Sequence, residues 1–173
     1  MTTEVREPEA ATSASGTVEL TLLPGCSGEL PGPADMRGES NGELEGGWLC
    51  EIGVGGSELR PDAALAFAAM NEAYRRETGE DLAITGTYRP LERQVSIAAE
   101  RPGLAAKPGS SLHGWGIAID FGGGTTTASG PQYEWLVAHA AEFGWENPDW
   151  AKGEKYEPWH WEYVPARAAI AGY

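Results

Sequence analysis

Basic residues are scarce in this chain: 12 Lys and Arg stand against 26 Asp and Glu in 173 residues, a formal net charge of −14. A surface of that sign repels phosphate backbones and anionic headgroups, which argues against nucleic acid and anionic membranes as partners. Long apolar runs are missing as well, and nothing approaches the roughly 18 residues of a membrane span. The first residues lack the basic start and apolar stretch of a secretory leader. If the protein is exported, its leader or anchor is expected to lie outside this sequence. Cysteine is limited to Cys26 and Cys50. In an exported protein the two are expected to form one disulfide worth about 3 kcal/mol on the chain-entropy account, with two buried thiols as the alternative. No histidine stands near them, so a zinc knuckle is not expected.

What is present divides into a polar beginning and a patterned remainder. Residues 1–16, built from Thr, Glu, Ala, Ser and Pro, read as a disordered tail or linker. Val18, Leu20, Leu22 and Leu23 form a strand-like run that stops at Pro24 and Gly25. Residues 27–47 are rich in Gly, Pro and Glu and predict a long loop; if Cys26 and Cys50 pair they pin its ends, and Trp48 and Leu49 are then drawn into the core. Pro61 opens a helix, since proline suits the first helical position. Ala63, Phe67, Met70 and Tyr74 form its buried stripe and Gly79 its end.

Residues 81–88 predict a core strand, and Pro90 starts a second helix that carries Gln94. Pro131 opens a third helix with Tyr133, Leu136, Val137 and Ala140 inward, Gly144 as its cap and His139 on the surface. Residues 101–110 and 147–155 read as loops, and Gly122 to Gly124 with the following threonines as a flexible connection. That glycine run lacks the Lys-Ser/Thr of a phosphate-binding loop and carries no nucleotide role. The expected fold class is α+β, a small, mostly antiparallel sheet bracketed by about three helices. One domain is expected over 17–173, with an irregular region at 17–58 and a core at 59–164; 173 residues suffice to bury it.

The densest chemistry lies between Ser111 and Asp120. On an unbroken strand His113 and Asp120 would point to opposite faces and stand roughly 23 Å apart at about 3.3 Å per residue. They meet only if the chain bends, and Gly114 and Gly116 permit a bend. His113 is therefore placed in a turn and Asp120 on the strand that follows. Downstream, Trp159, Trp161 and Tyr163 alternate with His160 and Glu162, a strand with one aromatic face in the core. His113, Asp120 and His160 together offer three N/O ligands that suit zinc and leave a position open for water, as catalytic sites do. On these residues alone, a plain core or surface role for each of the three stands equally well.

Ser111-x-His113-x-x-Gly116-x-Ala118-x-Asp120, followed by Glu157-x-Trp159-His160, resembles the zinc D-alanyl-D-alanine carboxypeptidases of the VanY type and related phage cell-wall peptidases. Thr85-Gly-Thr-Tyr-Arg89 with Gln94 is similar to a third segment of that family, Gly-Tyr-Arg…Gln, with Thr87 as the departure. The resemblance runs from about Leu59 to Val164. It implies a hedgehog/D,D-peptidase-like α+β fold, one zinc ion held by His113, Asp120 and His160, and hydrolysis of an amide in peptidoglycan stem peptides. Glu157 and Glu162 both compete for the general base; the family's pattern, a glutamate three residues before the second histidine, implies Glu157, which parity alone would not choose. Strand parity puts Glu162 beside His160, as a partner that orients the imidazole. Arg89 is implied for substrate or transition-state binding, with Ser111 and Gln94 in the same pocket. For Arg89 a surface salt bridge competes.

Three functions follow. The first is a D,D-carboxypeptidase removing the terminal D-alanine. The second is an endopeptidase or L,D-carboxypeptidase acting on a neighbouring bond. The third is a non-catalytic module that keeps the fold and the zinc, disfavoured because a pure binder needs no general base. Such a protein is expected outside the cell or at the cell wall, as a monomer.

Overall fold

Helix α1 (Pro61–Thr78) starts at Pro61 and ends where Gly79 turns left-handed, its N–H returned to the Arg75 carbonyl. Its stripe of Ala63, Phe67, Met70 and Tyr74 is buried as the 3.6-residue period requires. Burying Phe67 and Met70 contributes on the order of 2 kcal/mol each. Helix α2 (Leu91–Glu100) buries only Gln94, and α3 (Pro131–His139) runs on through a 3₁₀ turn, Ala140–Phe143. Two short helices, α4 (Asp149–Lys152) and α5 (Val164–Arg167), complete five among the described residues. The computed structural model describes residues 38–45, 47–54, 56–103 and 105–170, with Gly32 and Asp35. The expected tail, the strand-like run at 18–23 and Cys26 lie outside the described residues. Cys50 is fully buried.

Six strands are seen among the described residues. β1 (Cys50–Glu51) and β2 (Glu58–Leu59) pair as a small hairpin that the residue pattern does not announce. β3 (Ile84–Gly86), β4 (Ala118–Phe121), β5 (Trp145–Glu146) and β6 (His160–Tyr163) form an antiparallel sheet in the order β3-β4-β6-β5. In it, Ile119 lies opposite Trp161 and Asp120 opposite His160. Ile117, Ile119, Phe121 and Trp161 join the stripe of α1 and Trp135 and Leu136 of α3 in one core. Alternation then sends Asp120, His160 and Glu162 to the opposite face. None of the helices among the described residues is long and apolar enough to cross a membrane.

Several expectations are corrected. Val137 is 60% exposed, and Gln132 and Trp135 take its place inward, because the helix turns Trp135 against Tyr74 at 5.2 Å. The predicted strand over 81–88 shrinks to Ile84–Gly86, since a register irregularity interrupts its pairing with β4. The expected loop at 147–155 contains α4, which places Trp150 near the site. The connection after Gly124 forms a 3₁₀ turn around buried Thr125, whose hydroxyl donates to the Phe121 and Gly122 carbonyls. On β6, His160 and Glu162 are buried as well as Trp161, so the face opposite the aromatic row is covered too.

Candidate metal centre and active site

His113 sits in a four-residue 3₁₀ turn, Leu112–Trp115, that ends at Gly116 with φ +65°. Gly116 is required twice over, for that conformation and because a Cβ would fall 2.8 Å from the Arg60 nitrogen. Gly114 serves differently: its φ is not positive, but a Cβ there would lie 2.0 Å from Asn41 Oδ1. One glycine bends the chain and the other makes room. The turn returns His113 to the start of β4, and the antiparallel register sets His160 beside Asp120.

Three donor atoms converge as a result. His113 Nε2 lies 3.2 Å from Asp120 Oδ1 and 3.2 Å from His160 Nδ1, which is 3.1 Å from the same oxygen. The far nitrogen of each ring is already committed. His113 Nδ1–H donates to the Thr87 carbonyl at 2.8 Å, and His160 Nε2–H donates to Glu162 Oε1 at 3.1 Å. A carbonyl and a carboxylate only accept, so the inward nitrogens are the ones left with lone pairs when a cation is bound. Tetrahedral zinc with bonds of about 2.0–2.1 Å separates its ligand atoms by roughly 3.3 Å. The observed spacing fits that size, and two imidazoles with one carboxylate suit zinc chemically.

The electrostatics agree. Burial pushes the His113 imidazole below its ordinary value against the pull of Asp120, so it is neutral. Burial alone would raise Asp120, but the two histidines hold it well below the usual carboxylate range. For His160, burial is outweighed by Asp120 and Glu162, and the imidazole is pushed up to about 9. In the metal-free chain Nδ1 therefore carries a proton toward Asp120, and a cation would take that proton's place.

Two glutamates flank the centre in contrasting states. Glu162 is held by three donors: His160 Nε2, Trp150 Nε1 at 3.2 Å and Arg167 Nη1 at 2.7 Å. Against burial, His160 and Arg167 hold its carboxyl below its ordinary value. Glu157 is half-buried, and burial raises its carboxyl despite His160 nearby. Among the described residues no protein group hydrogen-bonds that carboxylate, while its backbone is fixed to Ala151, Asn147 and His160. Arg89 is partly buried, with Nη2 3.3 Å from Asp120 Oδ2. Burial lowers its pKa, while Asp120 and Glu157 oppose that shift.

The structure therefore brings His113, Asp120, His160, Glu157, Glu162 and Arg89 together. Ser111 flanks the turn and is 8% exposed. Gln94 was expected in the substrate pocket, but it is 3% exposed and its amide is spent on the protein. It donates to Asn41 Oδ1 and the Arg89 carbonyl and accepts from the Gly109 N–H. Thr87, the motif's departure, holds His113 with its backbone carbonyl, which any side chain would leave in place. Sequence reasoning missed Asn41, Trp150 and Arg167. Only Trp150 carried a signal, an aromatic within a polar stretch.

Residues 56–166, more than half of the chain, match the profile of a family described as VanY, D-alanyl-D-alanine carboxypeptidase. Over 135 residues the chain is 31% identical to YodJ of Bacillus subtilis (strain 168), which bears a carboxypeptidase name; the match covers 64% of this chain and 48% of YodJ. Among solved structures it is similar to the LdcB LD-carboxypeptidase, at 29% identity and a TM-score of 0.52 over 65% of this chain and 62% of that one. It is also similar to VanYB in complex with D-alanine-D-alanine, at 25% identity and a TM-score of 0.54 over 70% and 79% of the two chains. The chain thus spans about half the length of YodJ.

Proposed function

The chain belongs to the VanY D-alanyl-D-alanine carboxypeptidase family, and from that premise we propose that it is a zinc-dependent peptidase removing the terminal D-alanine from peptidoglycan stem peptides. The observation that carries the reading is the convergence of His113 Nε2, Asp120 Oδ1 and His160 Nδ1 to within 3.2 Å, with both outer ring nitrogens already engaged. Zinc, when bound there, supplies Lewis acidity that lowers the pKa of water to about 7 and polarises a carbonyl.

The remaining chemistry falls to the chain's own groups. Glu157, whose carboxyl has a raised pKa and no hydrogen-bonded partner among the described residues, takes the proton of the attacking water and passes it to the leaving amine. Arg89, beside Asp120 and in the field of Glu157, offers a guanidinium to the substrate carboxylate or to the developing oxyanion. Ser111 is assigned a substrate hydrogen bond at the edge of the turn. Glu162 holds His160 in the tautomer that ligates. Gln94 supports the pocket wall from behind. A protein of this activity works where the polymer is, outside the cell or at the wall, and the proposed form is a monomer with a Cys26–Cys50 disulfide.

The test is incubation of zinc-loaded protein with defined stem peptides, followed by mass spectrometry. A pentapeptide ending in D-Ala-D-Ala should lose one alanine, and a chelator should stop the reaction. The similarity to an LD-carboxypeptidase favours a second reading, L,D-cleavage, in which a tetrapeptide is shortened and the pentapeptide is left intact. An endopeptidase would instead cut cross-linked dimers. Failure to cleave any of these would leave only a binding module.

A further inference from the structure

Residues 39–45 precede the family match, which begins at residue 56, and the proposed chemistry does not use them. Their contacts nevertheless converge on the turn that carries His113. Gly42 N–H donates to the Gly114 carbonyl at 2.8 Å, and the Gly42 carbonyl accepts the Leu91 N–H at 2.9 Å, where α2 begins. Beside it Asn41 is 8% exposed. Its Nδ2 donates to the Ser111 carbonyl at 2.8 Å, and its Oδ1 accepts from Gln94 Nε2 at 3.0 Å. Gln94 in turn donates to the Arg89 carbonyl at 3.1 Å, and Arg89 N–H returns to the His113 carbonyl at 3.1 Å. Two side-chain amides thus close a ring of hydrogen bonds through the backbones that carry Arg89, Ser111 and His113.

A four-residue 3₁₀ turn has poor internal hydrogen-bond geometry, so its orientation has to be fixed from outside. Asn41 does this with no slack, since its Oδ1 lies 2.0 Å from where a Gly114 Cβ would be. Metal donors tolerate only about 0.2 Å of displacement. We propose that Asn41 is a positioning residue for the metal centre, holding the Leu112–Trp115 turn so that His113 Nε2 stays in register with Asp120 and His160. The proposal rests on the functional reading above for the identity of the ion. It requires an amide, because the donor end and the acceptor end are used in opposite directions.

The experiment measures the zinc Kd by chelator competition for wild type, Asn41→Ala and the near-isosteric Asn41→Asp, with folding checked by near-UV circular dichroism. Asn41→Asp keeps the acceptor for Gln94 and loses the donor to Ser111, so it serves even if the alanine variant fails to fold. The expected result is zinc affinity 10–100-fold weaker in folded protein, with kcat largely recovered at saturating zinc. A role in stability alone would lower Tm and leave the zinc Kd unchanged. A Kd within twofold of wild type therefore overturns the proposal. Should wild type bind no zinc and cleave no stem peptide, the functional reading falls by itself. The positioning role is then decided by hydrogen exchange in metal-free protein. Gly42 and Gly114 amides should exchange at least tenfold faster in Asn41→Asp while the β4–β6 ladder is unchanged; equal protection at Gly114 overturns it.

Discussion

Replacing Glu162 and Glu157 by glutamine, one at a time, separates two carboxylates that lie within a few residues of the same histidine. Glu162 accepts from His160 Nε2, Trp150 Nε1 and Arg167 Nη1, and is 3% exposed. A glutamine offers one oxygen and one NH₂. If the oxygen faces His160 and Trp150, the NH₂ confronts the Arg167 guanidinium; if it is flipped, the NH₂ confronts the imidazole N–H. The first orientation loses one hydrogen bond to a charged group, about 1.5–3 kcal/mol, and the flipped one loses two, because Trp150 Nε1 shares that oxygen with His160. Loss of a ligand's outer hydrogen bond weakens metal affinity about 10–100-fold, or roughly 1.4–2.7 kcal/mol, which is the same size.

Glu162→Gln should therefore bind zinc 10–100-fold more weakly and recover most of its kcat when zinc is saturating. Among the described residues Glu157 has no such donors to lose. Glu157→Gln should keep its zinc affinity within about twofold and lose about 10²–10⁴ in kcat at every zinc concentration, the usual worth of a general base. The assay is kcat on a stem peptide across a zinc titration, with Kd from chelator competition. Rescue of Glu157→Gln by zinc, with Glu162→Gln inactive throughout, would refute the assignment.

His113→Ala and His160→Ala should each abolish zinc binding and activity together; full metal content by elemental analysis in either variant contradicts the ligand set. Arg89→Ala should lower kcat/KM at least about a hundredfold, roughly 2.7 kcal/mol, with zinc retained; near-normal turnover would return Arg89 to a salt bridge with Asp120. In the folded, metal-free chain Asp120 and Glu162 outweigh burial and push the His160 imidazole from its ordinary 6.5 up to about 9. A raised imidazole contributes stability that is complete below 6.5 and lost as pH climbs through 9. Thermal melts of chelated protein should show Tm falling across that window, and His160→Gln should remove the slope; a flat wild-type profile counts against the pairing. Intact mass after alkylation without reductant should show no label on Cys26 or Cys50, and two labels would disprove the disulfide.

Much of this was legible from residue order because short-range physics decided it. The α1 stripe follows from the helical period, and its end from Gly79. His113 had to leave the strand because alternation would have sent it away from Asp120, and a turn before β4 is what forms. Parity also placed His160 and Glu162 side by side on one face. It did not say that this face would be covered. Trp150 and Arg167 do that, from two short helices whose local patterns are too brief to read.

Sequence by itself supplied the candidate ligand types, the turn before β4 and the motifs that point to the family, because each single motif lies within about ten residues. The tertiary structure alone decided how the two glutamates differ and what Gln94 does. It also brought Asn41, 70 positions away, to the carbonyl of Ser111. Those outcomes depend on which donors reach a group across the fold. A carboxylate satisfied by three donors and one with none among the described residues look the same in a sequence. Pattern and parity propose different roles for them, and packing supplies the physical difference behind those proposals.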